Sequence, residues 1–168
     1  MAIAYTVLAL VALQRVIELI HASRNTARLK RAGGVEFGRA HYPFIVLLHA
    51  SWLLAIAVGI QRDSMLRPLP LAVFALLQAA RVWVIVTLGP YWTTRVISVP
   101  DAPLVHSGPY RFVRHPNYLV VIGEIAVLPL VFGQPGNALV FSIVNLAIIA
   151  WRIHVENAAL ASRQRVSG

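Results

Sequence analysis

The chain has 168 residues, of which 58% are hydrophobic and 12% charged, and its mean hydropathy is +0.71. A soluble domain of this size needs far more charge to cover its surface, so the composition predicts an all-α integral membrane protein, one domain over residues 1–168. The absence of cysteine excludes disulfides, thiolate metal sites and a cysteine nucleophile, and the net charge of +9 lies in the connections between apolar blocks, as topology determinants do, so no nucleic-acid partner is expected.

Five apolar blocks follow in chain order, Ala2–Ile20, Pro43–Ile60, Leu69–Leu88, Tyr118–Phe132 and Asn137–Ile153. Each is near the ~20 residues of a spanning helix, the fourth being short. The first lacks the basic start and small-residue cleavage site of a signal peptide and carries Arg15 and Glu18 near its end, so a retained span is expected. "FGQPGN" between the last two blocks predicts a tight turn and an antiparallel hairpin, and Pro129 predicts a kink or an early end in the fourth helix. Tyr42, Trp52, Tyr91 and Trp92 fall at or near span ends and are expected as interfacial anchors.

Counting Lys and Arg in the connections gives an orientation. The first loop holds Arg24, Arg28, Lys30, Arg31 and Arg39; the third holds Arg95, Arg111 and Arg114; the tail holds Arg163 and Arg165. These ten share one side of a five-helix path, against Arg62 and Arg67 on the other. The imbalance places the N-terminus outside and the C-terminus in the cytoplasm, in what is expected to be a bacterial inner membrane. The long connection from Gly89 to Asn117 then lies on the cytoplasmic side, and loops of such length usually work.

Ionisable groups inside spans are costly and therefore informative. Glu124 lies about two turns into the fourth block, Arg81 in the cytoplasmic half of the third, and Arg152 near the cytoplasmic end of the fifth, with Glu156 four residues on and so on the same helix face. Glu124 and Arg81 read equally well as a structural ion pair, and Arg152 with Glu156 as an interfacial pair reaching the headgroups. His41 and His49 are eight apart without an accompanying carboxylate, and no metal is expected.

"GPYRFVRHPNY", Gly108 to Tyr118, resembles the signature of the isoprenylcysteine carboxyl methyltransferase family, and "WRIHVEN", Trp151 to Asn157, resembles that family's last-helix R-I-x-x-E-E element. The match extends from the third helix onward and is best over residues 89–160. The resemblance implies a membrane methyltransferase using S-adenosylmethionine. By position it implies cofactor contacts at Ala102, Pro103, Leu104, Val105, Tyr110, His115 and Glu156, and a substrate role for Arg152. Arg95 falls where the family has a further cofactor contact, without matching in type. The second acid of the family element is Asn157 here, and the chain ends at Gly168 without the usual aromatic tail, which leaves the substrate class open.

The N-terminal stretches "RVIELIHASRN" and "GGVEFGRAHYPF" resemble a bacterial branch of the superfamily that includes methyltransferases of alkylpyrones and alkylresorcinols. The expected acceptor is therefore a lipophilic small molecule, with a prenylated terminus as the other candidate and membrane lipids as surroundings. A carboxylate acceptor needs only a clamp such as Arg152; an enol or phenol needs a base, for which Glu124 is the only buried acid available. Phospholipid N-methylation is the alternative activity, and a small transporter or assembly partner the alternative class. Against the last stand the polar groups gathered on one side and the lack of an internal repeat.

Overall fold

The computed structural model describes residues 1–61, 65–100, 102 and 105–166, with side chains as far as residue 157. Five helices make up most of it: α1 (Ala2–Arg31), α2 (Tyr42–Gly59), α3 (Pro68–Leu88), α4 (Pro116–Val131) and α5 (Pro135–Val166). All five predicted blocks become helices. Prolines stand in the first turns of α2, α3 and α4, where a missing N–H costs nothing. Four helices are long and apolar enough to cross a membrane, while α4 has 16 residues, about 24 Å. It stops two residues after Pro129, and Gly133 (φ +72°) then turns the chain into α5. α4 packs between α3 and α5, and Gly123 allows the close approach, since a Cβ there would stand 2.8 Å from Leu77 Cδ2. Leu10, Leu54, Leu76, Leu139 and other large apolar side chains face outward, as they do where lipid is the solvent.

Sequence pattern alone misses three features. α1 continues eleven residues past the apolar block, because nothing breaks it before Gly33 and Gly34; Arg28, Lys30 and Arg31 in its last turn complement the helix dipole. The first and third loops pair through a small antiparallel ribbon, β1 (Val35–Phe37) with β2 (Val96–Ser98), Glu36 opposite Ile97. Two of the expected interfacial aromatics are instead buried. Trp52 is 0% exposed inside the apolar core, and Trp92, 2% exposed, stacks on His21 at 5.7 Å.

The bundle is stratified along its length. At the end away from the basic loops, Leu8 and Val11 of α1, Trp52 and Ile56 of α2, Phe74 of α3 and Leu128 of α4 form one apolar core. Gln134 and Asn137 donate to the last carbonyls of α2 and close that end. Below the core lies a charged layer. Glu124 of α4, 1% exposed, accepts from Arg81 Nη1 at 2.8 Å and from Gln78 Nε2 at 2.7 Å, both on α3. Glu18 of α1 accepts from Arg81 Nε at 2.7 Å and Nη2 at 2.6 Å, and from Arg15 Nη1 at 3.1 Å. Arg15 Nη2 also stands 2.9 Å from Glu124, an ion pair by distance that lacks the alignment of a hydrogen bond. Gln14 bridges Glu18 and Gln78. The Arg81–Glu124 pair read from the sequence is thus half of a neutral quartet joining three helices.

Removing one member of a buried ion network leaves the rest uncompensated, at a cost of about 3–5 kcal/mol. Arg81→Met, which strips the shared cation from Glu18 and Glu124, is predicted to lower the thermal midpoint in detergent sharply. Arg31→Gln, on an exposed side chain, is predicted to leave it unchanged. Equal midpoints would show that the quartet does not hold α1, α3 and α4 together.

Candidate functional site

The second polar layer lies at the end of the bundle that carries the basic loops. It starts where the loop after β2 enters α4. Ser107 and Gly108 lead into a 3-10 turn, Gly108–Arg111, seated against α3. Gly108 holds φ +56°, and a Cβ there would stand 2.5 Å from Thr87 Oγ1, so both the backbone angle and the contact require glycine. The turn returns the chain to His115, the residue before Pro116 at the start of α4.

His115 and Tyr118, three apart, share a face of the new helix, their rings stacked at 5.2 Å and 21°. Opposite them α5 presents Arg152 and Glu156. The Tyr118 hydroxyl donates to Glu156 Oε2 and accepts from Arg152 Nε at 2.9 Å. The arginine and glutamate therefore meet through a tyrosine and not as a direct i,i+4 pair. Arg152 Nη1 also donates to the backbone oxygen of Thr94 at 2.7 Å, which ties the segment before β2 to α5. His115 Nδ1 lies 3.8 Å from Glu156 Oε2. Burial pushes the Tyr110 hydroxyl above its ordinary pKa, and the nearby Glu156 charge adds to this, so Tyr110 stays a hydrogen-bond donor at all ordinary pH.

Tyr110, His115, Arg152 and Glu156, all expected from the sequence, are brought to one place by this arrangement. The side chains of His115 and Glu156 are 21% and 30% exposed, so a ligand can reach a ring and a carboxylate already held in position. Ala102 and Val105 lie in the loop that leads to this turn, both half-buried; Pro103 and Leu104 are outside the described residues. Glu124 stands apart, with Oε1 bonded to Gln78 and Oε2 to Arg81 of the quartet. Arg95 is also engaged elsewhere, bonded to Glu36 and stacked 4.0 Å over the Tyr42 ring.

Tyr118 and Thr94 are the residues that sequence reasoning missed. Tyr118 closes the GPYRFVRHPNY motif, and its i+3 spacing from His115 was the available signal. Thr94 acts through its backbone oxygen, which no sequence pattern marks.

The sequence has relatives among known proteins. Residues 69–162 match the family described as isoprenylcysteine carboxyl methyltransferase (ICMT). The uncharacterized protein YpbQ of Bacillus subtilis is 35% identical over 161 residues, covering 93% of this chain and 95% of the relative. An uncharacterized protein of Haemophilus influenzae is 25% identical over 143 residues, covering 82% and 83% of the two chains. No solved structure matches the chain.

Tyr118→Phe keeps the ring against His115 and removes the hydroxyl between two charged partners. Hydrogen bonds to charged groups contribute about 1.5–3 kcal/mol each. The variant is predicted to lower the thermal midpoint measurably, and Tyr118→Leu, which loses the stacking as well, to lower it further. A midpoint unchanged in Tyr118→Phe would mean that the α4–α5 bridge is not formed.

Proposed function

The chain belongs to the isoprenylcysteine carboxyl methyltransferase family, and from that premise we propose that it is an S-adenosylmethionine-dependent O-methyltransferase acting on a lipophilic acceptor at the basic end of the bundle. The observation that carries this reading is the Tyr118 bridge. It holds Glu156 and Arg152 one helical turn apart, with His115 beside the glutamate.

The donor set fits the cofactor. Glu156 supplies a charge-assisted acceptor for an amine or ribose hydroxyl, and the partly exposed His115 a ring for adenine. Tyr110 supplies a hydroxyl donor, and the loop through Ala102 and Val105 backbone groups. When bound, the cofactor supplies a methyl group on a positively charged sulfur. A water-soluble donor and a lipid-borne acceptor must meet at the membrane boundary, and that is where these polar groups collect. The protein's work is alignment, which alone can remove much of the barrier to an in-line displacement. Arg152, anchored by Tyr118 on one side and Thr94 on the other, presents a fixed guanidinium that stabilises an acceptor oxyanion.

This anchoring bears on the acceptor. Glu124, the candidate base, is locked by Arg81 and Gln78, and proton abstraction would break up the quartet. The reading that follows favours an acceptor acidic enough to ionise beside Arg152 unaided. An isoprenylcysteine-type carboxylate qualifies. So does the enol of an alkylpyrone, a vinylogous acid. An alkylresorcinol phenol is a poorer fit. Phospholipid N-methylation is disfavoured because Arg152 would face a cationic amine. A transporter reading gains little from the quartet, whose charges are already neutralised by one another.

Two measurements test this reading. Calorimetry in detergent is predicted to detect binding of S-adenosylmethionine and its demethylated product, weakened roughly ten- to a hundredfold by His115→Ala or Glu156→Ala. With labelled cofactor and an alkylpyrone or prenylcysteine acceptor, Glu124→Gln is predicted to escape the roughly 10²–10⁴-fold loss expected of a general base. No cofactor binding by folded wild type would end the proposal, and a loss of that size at matched folded protein would restore Glu124 as the base.

The orientation is part of the same proposal, because the cofactor is a cytoplasmic metabolite. A reporter fused after Gly168 is predicted to read cytoplasmic and one inserted near Asp63 external; the reverse result would put the site on the wrong side.

A further inference from the structure

A cavity of about 530 Å³ opens beside the ribbon, between the basic end of α1 and the start of α2. Its charged lining is Lys30 of α1, Glu36 of β1, Arg39, and Arg95, with the hydroxyls of Thr26 and Tyr42 around them. Glu36 accepts from all three cations and its side chain is only 3% exposed. Burial alone would raise its pKa, but the bonds from Lys30 and Arg95 hold it at about 2, so it is ionised throughout the physiological range. One carboxylate therefore faces three cations, and two positive charges among the described lining are left over.

An ion cluster that only fastens the ribbon to α1 would not need this surplus. The Arg39 side chain in particular is 74% exposed and meets Glu36 through Nε alone, which leaves its other guanidinium nitrogens towards the opening. The volume also lies in the ~300–1,000 Å³ range of small-ligand sites.

The surroundings identify the kind of anion. Leu19 of α1 lines the cavity, and next to it towards the apolar end of the bundle α1 exposes Val16 and Ile20. One turn beyond Tyr42, on the same face of α2, Val46 is exposed. A cationic recess thus stands at the basic end of two helices whose adjoining surfaces are apolar, the same order as a lipid headgroup and its chains. We propose that this cavity binds the phosphate of an anionic phospholipid, with the acyl chains lying along the exposed faces of α1 and α2. Most of the lining comes from residues 19–42, outside the 69–162 matched by the family, so the site belongs to the N-terminal part of this chain. It does not depend on the methyltransferase reading.

Native mass spectrometry of the full chain, with phosphatidylglycerol or phosphatidylcholine added and neither cofactor nor acceptor present, tests this directly. Phosphatidylglycerol is expected to be retained in preference to phosphatidylcholine. Retention is expected to fall about fivefold for each charge removed in Arg39→Gln and in Lys30→Gln/Arg39→Gln. Arg31→Gln, exposed on the same end of α1 but outside the cavity, is expected to change nothing. Should the double variant fail to fold, Arg39→Gln alone carries the test, since its side chain is mostly in solvent. Equal retention of the two lipids would overturn the proposal. So would a loss in Arg31→Gln matching that in Arg39→Gln, which would indicate diffuse attraction, or displacement of the lipid by equimolar inorganic phosphate.

Discussion

Two arginines and two glutamates inside an apolar bundle are the constraint on which the rest of the structure depends. Arg15 and Glu18 come from α1, Arg81 from α3 and Glu124 from α4. Any one of them alone would be expensive at that depth. Together they are neutral, and the glutamines at 14 and 78 extend the network. Because a charge tolerates burial only with its partner, the quartet permits one rotation and one height of each helix. The apolar core above it is more forgiving, since leucine and valine can slide past one another at small cost.

That fixed rotation is what the basic end uses. Glu124 and Tyr118 are six residues apart on α4, which places them about 120° apart around the helix. With Glu124 turned towards α1 and α3, Tyr118 turns towards α5 and reaches Arg152 and Glu156 together. At this end the hydroxyl ties the last helix to α4, and the segment before β2 is tied on through Thr94. Positioning therefore passes from the charged layer to α4, then to α5, and ends at a partly exposed carboxylate and histidine. On this account Glu124 shapes the site without entering it, as a residue that sets where others stand.

The sequence announces the five helices because runs of about twenty apolar residues have few other uses. It also announces Arg152, Glu156, His115 and Tyr110, through two motifs whose spacing is local. What it conceals is pairing across helices. Arg15 and Glu18 are visible as polar residues near the end of an apolar block, yet nothing in the chain order joins them to Arg81 and Glu124. The ribbon is equally hidden, since Val35-Glu36-Phe37 is too short to carry an alternation. Trp52 and Trp92 depart from the sequence expectation for a related reason. A tryptophan near a span end is usually an anchor, but here Trp52 packs into the core and Trp92 against His21, and burial depends on neighbours that the sequence does not order.

The central claim is that the cofactor sits where α4 begins, against α5, and ultraviolet cross-linking of radiolabelled S-adenosylmethionine to the detergent-purified protein tests it most directly. Peptide mapping should find the label within residues 102–118 or 151–157, and excess demethylated product should abolish it. Label on α1 or the α1–α3 groove around Gln14 and Gln78, with none at the start of α4, would contradict the account.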